Sequence, residues 1–280
     1  MENKPINNVR TDIYFGSGAG TEIREKIKAA RKGILVVSPF LAKSRQPQQG
    51  EAALCILLAQ KAEAGIPVML VTTEAAFQPS YDNPIYSLIN QDPVNDPAAI
   101  EKKAKLKLHA RIWMTINIIL ILLCVTAFFL GNQPLMSIIS VGFIILSFLL
   151  NQIPYRRSKM IQTFHYKYQP KGNMRIKILK NYDHMRRREN GHIQTLHSKI
   201  YCIDSEVAYI GSMNFTEAGF KYNFESRVKI KDANIVADIE SYWQKFFNDN
   251  NIPEIPWGPL AASCFEIPIN WQKLPQYRIQ

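Results

Sequence analysis

With 280 residues, 47% of them hydrophobic, the chain is long and apolar enough to bury a sizeable core as one large domain or two small ones. Its formal charge of +11 points to a polyanionic partner surface, nucleic acid or acidic phospholipid headgroups, without choosing between them. Four cysteines, Cys55, Cys124, Cys202 and Cys264, are widely scattered with no CxxC pair, which excludes a disulfide framework and fits thiols in a reducing compartment.

Met1 to Asn8 is polar and lacks an apolar stretch, so no cleavable signal peptide is expected there. Val9 to Phe15 reads as a short strand. Glu22 to Arg31 follows as a helix, with Ile23 and Ile27 one turn apart and Glu22 in the first turn. Gly33 to Pro39 is a buried strand ending in a turn. Ala52 to Ala64 is an apolar helix closed by Gly65, and Ile66 to Thr72 is another strand. Strand-helix-strand-helix-strand order argues for an α/β layer with a mainly parallel sheet in this half. The run Gly16-Ser-Gly-Ala-Gly20 has neither the Gly-Lys-Ser/Thr ending of a P-loop nor the GxGxxG spacing, and a turn leading into the helix accounts for it.

From Ile112 through Tyr155 there is not one Asp, Glu, Lys or Arg. Segments of about 112–130 and 135–152 are long enough, or nearly so, to cross a bilayer as helices. Gly131-Asn-Gln-Pro134 breaks them with a turn. The pattern predicts a two-helix transmembrane hairpin; a buried core hairpin and a re-entrant loop are the alternatives. Lys102, Lys103, Lys105, Lys107 and Arg111 precede the first segment, and Arg156, Arg157 and Lys159 follow the second. The connecting turn is uncharged. The positive-inside rule then puts both flanks, the soluble part and both termini in the cytoplasm, with the basic flanks resting against anionic headgroups.

Beyond the hairpin, Met174 to Leu179 alternates apolar and basic residues as a half-buried strand does. Arg186, Arg187 and Arg188 sit in a polar loop, where they either line a cleft or form a solvated face. Leu196 to Ile203 and Val207 to Ile210 read as a strand and its return. Phe215 to Gly219 suggests a short helix, Ser226 to Ile230 a strand, and Ile235 to Phe247 an amphipathic helix. The tail from Ile252 has no clear period and packs either on the domain or at a membrane interface, where Trp257 and Trp271 would be comfortable. The expected organisation is a first half-domain over 1–100, the basic-flanked hairpin over 101–160, a second half over 161–250 and a tail over 251–280.

One eighteen-residue window carries chemistry: His197-Ser-Lys199, Asp204, and Gly211-Ser212-Met-Asn214. A histidine can attack phosphorus or protonate a leaving oxygen. A lysine two residues away in an extended segment points to the same side and can hold phosphate oxygens beside the imidazole. A Gly-Ser-x-Asn turn adds a hydroxyl, an amide and close backbone approach, all suited to an oxyanion. His184, His192 and His197 share a neighbourhood, but no Cys or paired carboxylate joins them at metal-ligand spacing. A mechanism without metal or cofactor is expected. His109, His165, His184 and His192 read as surface residues.

The window resembles the His-x-Lys-x4-Asp-x6-Gly-Ser-x-Asn (HKD) motif of the phospholipase D superfamily at every fixed position, and Asn223-Phe-Glu225 matches the Asn-x-Glu that often follows it. Looser similarity extends to Leu35-Val-Val-Ser-Pro39 and Ala64-Gly-Ile-Pro-Val-Met-Leu70. The resemblance implies an α/β fold, a phospholipase D-like mixed sheet flanked by helices, interrupted here by the hairpin. It implies that His197 is the nucleophile, through a phosphohistidine, or the general acid. Lys199 and Asn214 would bind the non-bridging oxygens with Ser212 assisting, Glu225 would accept from the other imidazole nitrogen, and Asp204 would support the site. The complete motif occurs once, and no histidine precedes His109. The two histidines that the mechanism needs would then come from two copies across a twofold axis, as in single-motif members. Three functions stay open: a membrane-anchored phosphodiesterase that hydrolyses or transfers a phospholipid, which the hairpin favours; a metal-independent nuclease; and a non-catalytic membrane scaffold.

Overall fold

The computed structural model describes residues 11–41, 53–77, 83–130, 134–180, 196–252 and 254–265. The chain divides into two units, one of Met1–Asn90 with Tyr168–Gln280 and one of Gln91–Lys167. In chain order the first half holds β1 (Thr11–Gly16), α1 (Thr21–Ala29), β2 (Ile34–Val37), α2 (Leu54–Glu63), β3 (Val68–Thr73) and α3 (Ile85–Leu88). The next segment holds β4 (Ile89–Asn95), α4 (Pro97–Leu130), α5 (Pro134–Met160) and β5 (Phe164–Pro170). Then follow β6 (Met174–Leu179), β7 (Ile200–Ile203), β8 (Val207–Gly211), β9 (Glu225–Ile230), α6 (Ala233–Asn248) and α7 (Trp257–Cys264).

The first unit is built on a seven-stranded sheet in the order β1-β9-β8-β7-β2-β3-β6. Strands β2, β3 and β6 run parallel, whereas β7, β8, β9 and β1 alternate antiparallel from β2 outward. The mainly parallel first half therefore holds for β2 and β3 only; β1 leaves its sequence neighbours and closes the opposite edge against β9. Strand β2 is apolar on both sides because both sides are covered. Ile34 and Val36 pack with Ile23 and Ile27 of α1 and Leu54 and Leu58 of α2, while Leu35 and Val37 pack with Val236 and Trp243 of α6. Helix α6 starts on Asp232, whose carboxylate accepts from the amides of Asn234 (2.9 Å) and Ile235 (3.2 Å). It ends on buried Lys177, which donates to the carbonyls of Phe246, Phe247 and Asp249 (3.4, 3.0 and 2.7 Å). A positive side chain there answers the unpaired carbonyls of the last turn.

One local expectation needs correction, and one left open is narrowed. The short helix expected over Phe215–Gly219 is a π-helical turn over Ala218–Tyr222. The aperiodic tail contains α7, whose Leu260, Ala261 and Cys264 join the core of the first unit, and the Ile255 amide donates to the Ile178 carbonyl (2.9 Å). Docking on the domain therefore accounts for this part of the tail; Trp271 lies outside the described residues.

In the second unit β4 and β5 form a two-stranded sheet at the foot of α4 and α5. Lys103 Nζ donates to the Ile161 carbonyl (3.3 Å) and the Ser147 hydroxyl to the Asn117 side chain, so residues ascending α4 meet residues descending α5 and the two helices are antiparallel. The ribbon extends the unit to Gln91 and Lys167, wider than the 101–160 expected. Helix α4 carries the basic run and the first apolar segment in one piece. Among the described residues, one helix is long and apolar enough to cross a membrane, over Pro97–Thr126, with a mean hydropathy of 2.0. The second expected span, 135–152, lies wholly within α5, but the one candidate span among the described residues is that of α4, so a pair of spanning helices is not established.

Candidate functional site

His197 and Lys199 stand in the extended segment that leads into β7, just before its pairing with β2 begins at Ile200. The expected strand is thus shorter than Leu196–Ile203, although the Gly211 amide reaches back to the Lys199 carbonyl (3.2 Å). His197 is exposed, whereas Lys199 retains only 6% of its surface. Lys199 Nζ donates to the His197 carbonyl (2.8 Å) and lies 3.2 Å from Nδ1 and 3.3 Å from Nε2 of the same imidazole. Burial lowers the Lys199 pKa, partly opposed by the charge of Glu225. The same-side placement read from the His-x-Lys spacing is what brings ammonium and imidazole together.

The Gly-Ser-Met-Asn turn closes the site from β8. A Cβ on Gly211 would lie 2.0 Å from the Ser226 carbonyl oxygen, so only glycine lets β9 approach this closely. The Ser212 amide donates to the Ser226 carbonyl and the Ser226 amide to Ser212 Oγ, each at 3.0 Å. The Ser212 hydroxyl donates in turn to Glu225, whose second oxygen accepts from Asn223 Nδ2 (3.2 Å). Glu225 is thus held by Ser212 and Asn223 rather than by the His197 ring, which lies against Lys199. Asn214 Oδ1 is buried without a hydrogen-bond partner among the described residues. An orphaned buried acceptor of this kind calls for a donor, which a hydroxyl-bearing ligand can bring.

Two supports were not singled out from the sequence. Ser38, fully buried at the end of β2, accepts from the Phe215 amide (2.9 Å) and donates to the Phe40 carbonyl (2.6 Å). Tyr201, buried in β7, donates to the Met213 carbonyl (2.6 Å); burial raises its pKa well above the usual phenol range, which keeps it a donor. Together they pin both sides of Asn214. The available signals were a polar Ser-Pro ending on an apolar strand and a tyrosine inside the motif strand. Farther out, Arg24 of α1 forks onto Glu217 with both contacts at 2.5 Å. The Gly20 amide donates to the Phe220 carbonyl (3.1 Å). Those contacts clamp the segment after Asn214 onto the first helix.

Asp204 stands apart from this group. It follows β7, whereas His197 precedes it, so a four-residue strand of roughly 3.3 Å per residue separates them. Its carboxylate accepts from the backbone amides of Arg31 (2.9 and 3.1 Å), Lys32 (2.6 Å) and Gly33 (3.1 Å). Burial acts to raise its pKa, but these amides, with the Lys32 charge, hold it below the usual carboxylate range. Its backbone is left-handed, at φ 58°, a conformation that aspartate tolerates better than most residues. Asp204 thus fastens the β7–β8 turn to the loop entering β2 and has no place in the reacting group.

Of the remaining polar candidates, those that the structure describes do not join the site. Arg186, Arg187, Arg188, His184 and His192 lie outside the described residues. His165 and Lys167 repeat the His-x-Lys spacing, exposed on β5 in the second unit, but without the Asp and the Gly-Ser-x-Asn turn. Cys202 is buried, and burial pushes its thiol far up, so it stays unreactive. Among the described residues, no three His, Cys, Asp or Glu side chains gather as a metal site requires.

Residues 149–247 match the family model described as "Cardiolipin synthase, PLD-like domain". The matched segment carries His197, Lys199, Asn214 and Glu225. No curated protein matches the chain. Among solved structures it is similar to NucT from Helicobacter pylori, at 13% identity over 85% of this chain and 95% of that one, with a TM-score of 0.43. It is similar to the phospholipase D family member Nuc from Salmonella typhimurium, at 13% identity over 88% and 99%, with a TM-score of 0.40. It is also similar to phosphatidylserine synthase from Haemophilus influenzae Rd KW20, at 10% identity over 88% and 39%, with a TM-score of 0.39.

Proposed function

We propose that the protein is a membrane-anchored phosphodiesterase that cleaves or transfers a phospholipid headgroup through a phosphohistidine on His197. The observation that carries this reading is that the pairing of β7 with β8 brings the turn of Ser212 and Asn214 to the end of the sheet where buried Lys199 meets His197, within the segment that matches the phospholipase D-like family model. An imidazole nitrogen of His197 attacks phosphorus, so that a P–N bond forms as the P–O bond to the leaving alcohol breaks. Lys199 and Asn214 hold the non-bridging oxygens as charge builds on them. The leaving alkoxide takes a proton from a second imidazole, which then removes one from the incoming water or alcohol as that attacks the phosphohistidine and restores His197.

Among the described residues one histidine stands in this group, so the second imidazole would be His197 of the partner subunit in a symmetric dimer. Helix α4 and the basic residues Lys102 to Arg111 would hold the protein at the cytoplasmic face of a bilayer, with α5 as the second span. The decisive experiment gives purified full-length protein, without added metal, either phosphatidylglycerol vesicles or single-stranded DNA in EDTA. Headgroup release that is lost in His197→Ala is the expected result. Cleavage of DNA alone would identify a nuclease, and inactivity on both with intact membrane assembly a scaffold. Full activity from a monomer in detergent would refute the shared site.

A further inference from the structure

The buried line between α4 and α5 runs through Lys103, Ala110 and Asn117 on one helix and Ser147 and Ser158 on the other. Lys103 reaches Ile161 and Asn117 meets Ser147, and the offset is the same at both contacts. Arg111 is therefore level with Ile153, and Lys107 with Arg157. One residue forward from the buried line turns about 100° around either helix. A twofold axis perpendicular to two antiparallel helices relates one to the other, so the forward flanks of both border the same groove. Lys107 and Arg111, one turn apart on α4, stand on that flank. So do Tyr155 and Lys159 on α5, where the Lys159 ammonium lies 4.6 Å from the centre of the Tyr155 ring. In height Tyr155 falls between Arg111 and Lys107, and Lys159 just below, so the four share about 9 Å of helix axis. Lys102 and Arg157 lie on the opposite flank.

Above this polar foot the same groove turns apolar: Met114 and Ile118 of α4 and Phe148 of α5 are all exposed along it. Among the described residues, no carboxylate pairs with Lys107, Arg111 or Lys159. Of the acidic residues nearby, Asp96 caps α4 through the Ala99 amide (3.0 Å) and Glu101 holds Lys105 (2.6 Å). A basic run by itself gives only a diffuse field that salt screens. Three cations on one groove with an apolar wall directly above them match a ligand with an anionic head and a hydrocarbon tail. We propose that this groove binds one anionic phospholipid, its phosphate among Lys107, Arg111 and Lys159 and an acyl chain along Met114, Ile118 and Phe148. The site depends on the membrane anchoring proposed above and is independent of the chemistry at His197. A soluble phosphate or a nucleic-acid backbone would leave the apolar wall unused. Arg111 presents the planar fork that suits phosphate oxygens, and Tyr155 is of the residue type that settles at the level of the headgroups.

The test uses full-length protein carrying His197→Ala, so that lipid is not consumed, stripped of lipid in detergent. It is titrated with phosphatidylglycerol or phosphatidylcholine, and bound lipid is counted by native mass spectrometry. Phosphatidylglycerol should bind in preference. Lys107→Gln with Lys159→Gln should weaken its binding about thirtyfold, which corresponds to about 1 kcal/mol for each cation, and Lys107→Arg with Lys159→Arg should retain it. Lys102→Gln with Arg157→Gln removes the same charge from the opposite flank and should leave the affinity unchanged. Equal loss in the two glutamine pairs would reveal a diffuse field and overturn the proposal, as would equal affinity for the two lipids. Displacement of the lipid by an equal concentration of glycerol 3-phosphate would make a soluble phosphate the ligand and overturn it as well. Flotation with vesicles reads the anchoring separately. Selective binding in detergent by a protein that does not float would sustain the groove and refute the anchoring, whereas a protein that floats but binds lipid equally in all variants loses the groove alone.

Discussion

Asp204 is the member of the motif given a supporting rather than a chemical role, which makes its replacement the sharpest test of how the site is divided. In Asp204→Asn the retained Oδ1 still faces the amides of Arg31, Lys32 and Gly33, but the new amide group meets the Arg31 N–H at the position of Oδ2. The charge assistance of about three hydrogen bonds is lost, in a setting partly open to water, so the expected cost is about 1–2 kcal/mol. For a domain of this size that corresponds to a fall in Tm of roughly 2–8 °C. Asp204→Ala loses the acceptor altogether and places alanine at φ 58°, which adds about 1 kcal/mol. The pH dependence has a definite sign. The Asp204 carboxylate has a folded pKa below its ordinary value, so its stabilisation is present above the ordinary carboxylate range and is lost as pH falls through the folded pKa. The gap in Tm between the parent and Asp204→Asn should therefore be full at neutral pH and close in acid. Thermal unfolding of the detergent-solubilised protein across pH, beside turnover at a temperature well below both transitions, reads both quantities. An unchanged Tm with a loss of turnover of a hundredfold or more would refute the structural assignment and return Asp204 to the catalytic group.

Three further outcomes follow from the geometry. Ser38→Ala leaves the buried Phe215 amide and the Phe40 carbonyl without their partner, at about 2–4 kcal/mol; because it loosens the turn carrying Asn214, kcat/KM should drop further than in Lys177→Met at equal loss of Tm. Lys177→Met removes the donor to three carbonyls at the end of α6 and should cost about 2–3 kcal/mol with KM unchanged, so an altered KM would contradict its purely structural place. Glu225→Gln withdraws the charge that partly offsets the depression of Lys199 by burial. The alkaline limb of the pH profile should then move to lower pH, and a limb that stays or rises would show that Lys199 does not set it. Because the buried ammonium binds its proton less tightly than in the unfolded chain, its burden on stability is present below the folded pKa and lifts as pH rises toward the ordinary lysine range.

Much of the architecture was legible because local rules and tertiary packing agree. Ile23 and Ile27 stand one turn apart in sequence and face the same core in α1. Ile34 to Val37 is apolar on both faces because helices cover both faces of β2. The pair His197 and Lys199 converges because an extended chain returns alternate side chains to one side. The misplaced elements share another cause. Strand β1 pairs with β9 across more than two hundred residues, and no periodicity encodes a partner at that distance. In the ribbon of β4 and β5 the alternation of Phe164 to Pro170 is itself a strand signal, whereas β4 carries a proline and an exposed second half and does not read as a buried strand.

The sequence by itself determined the chemistry on offer: a single His-x-Lys-x4-Asp with its Gly-Ser-x-Asn turn, and an uncharged stretch from Ile112 to Tyr155. Residue types at fixed offsets suffice for that, because short-range backbone geometry turns spacing into direction. Only the tertiary structure decided which motif residues stand together. It carried Asp204 to the far end of β7, gave Glu225 to Ser212 and Asn223, placed Ser38 and Tyr201 beneath the turn, and set exposed Phe15 beside the strand that bears Glu225. Apart from the local bond of Asn223 to Glu225, each of these joins different strands or loops, fixed by sheet order and burial, which local spacing does not specify.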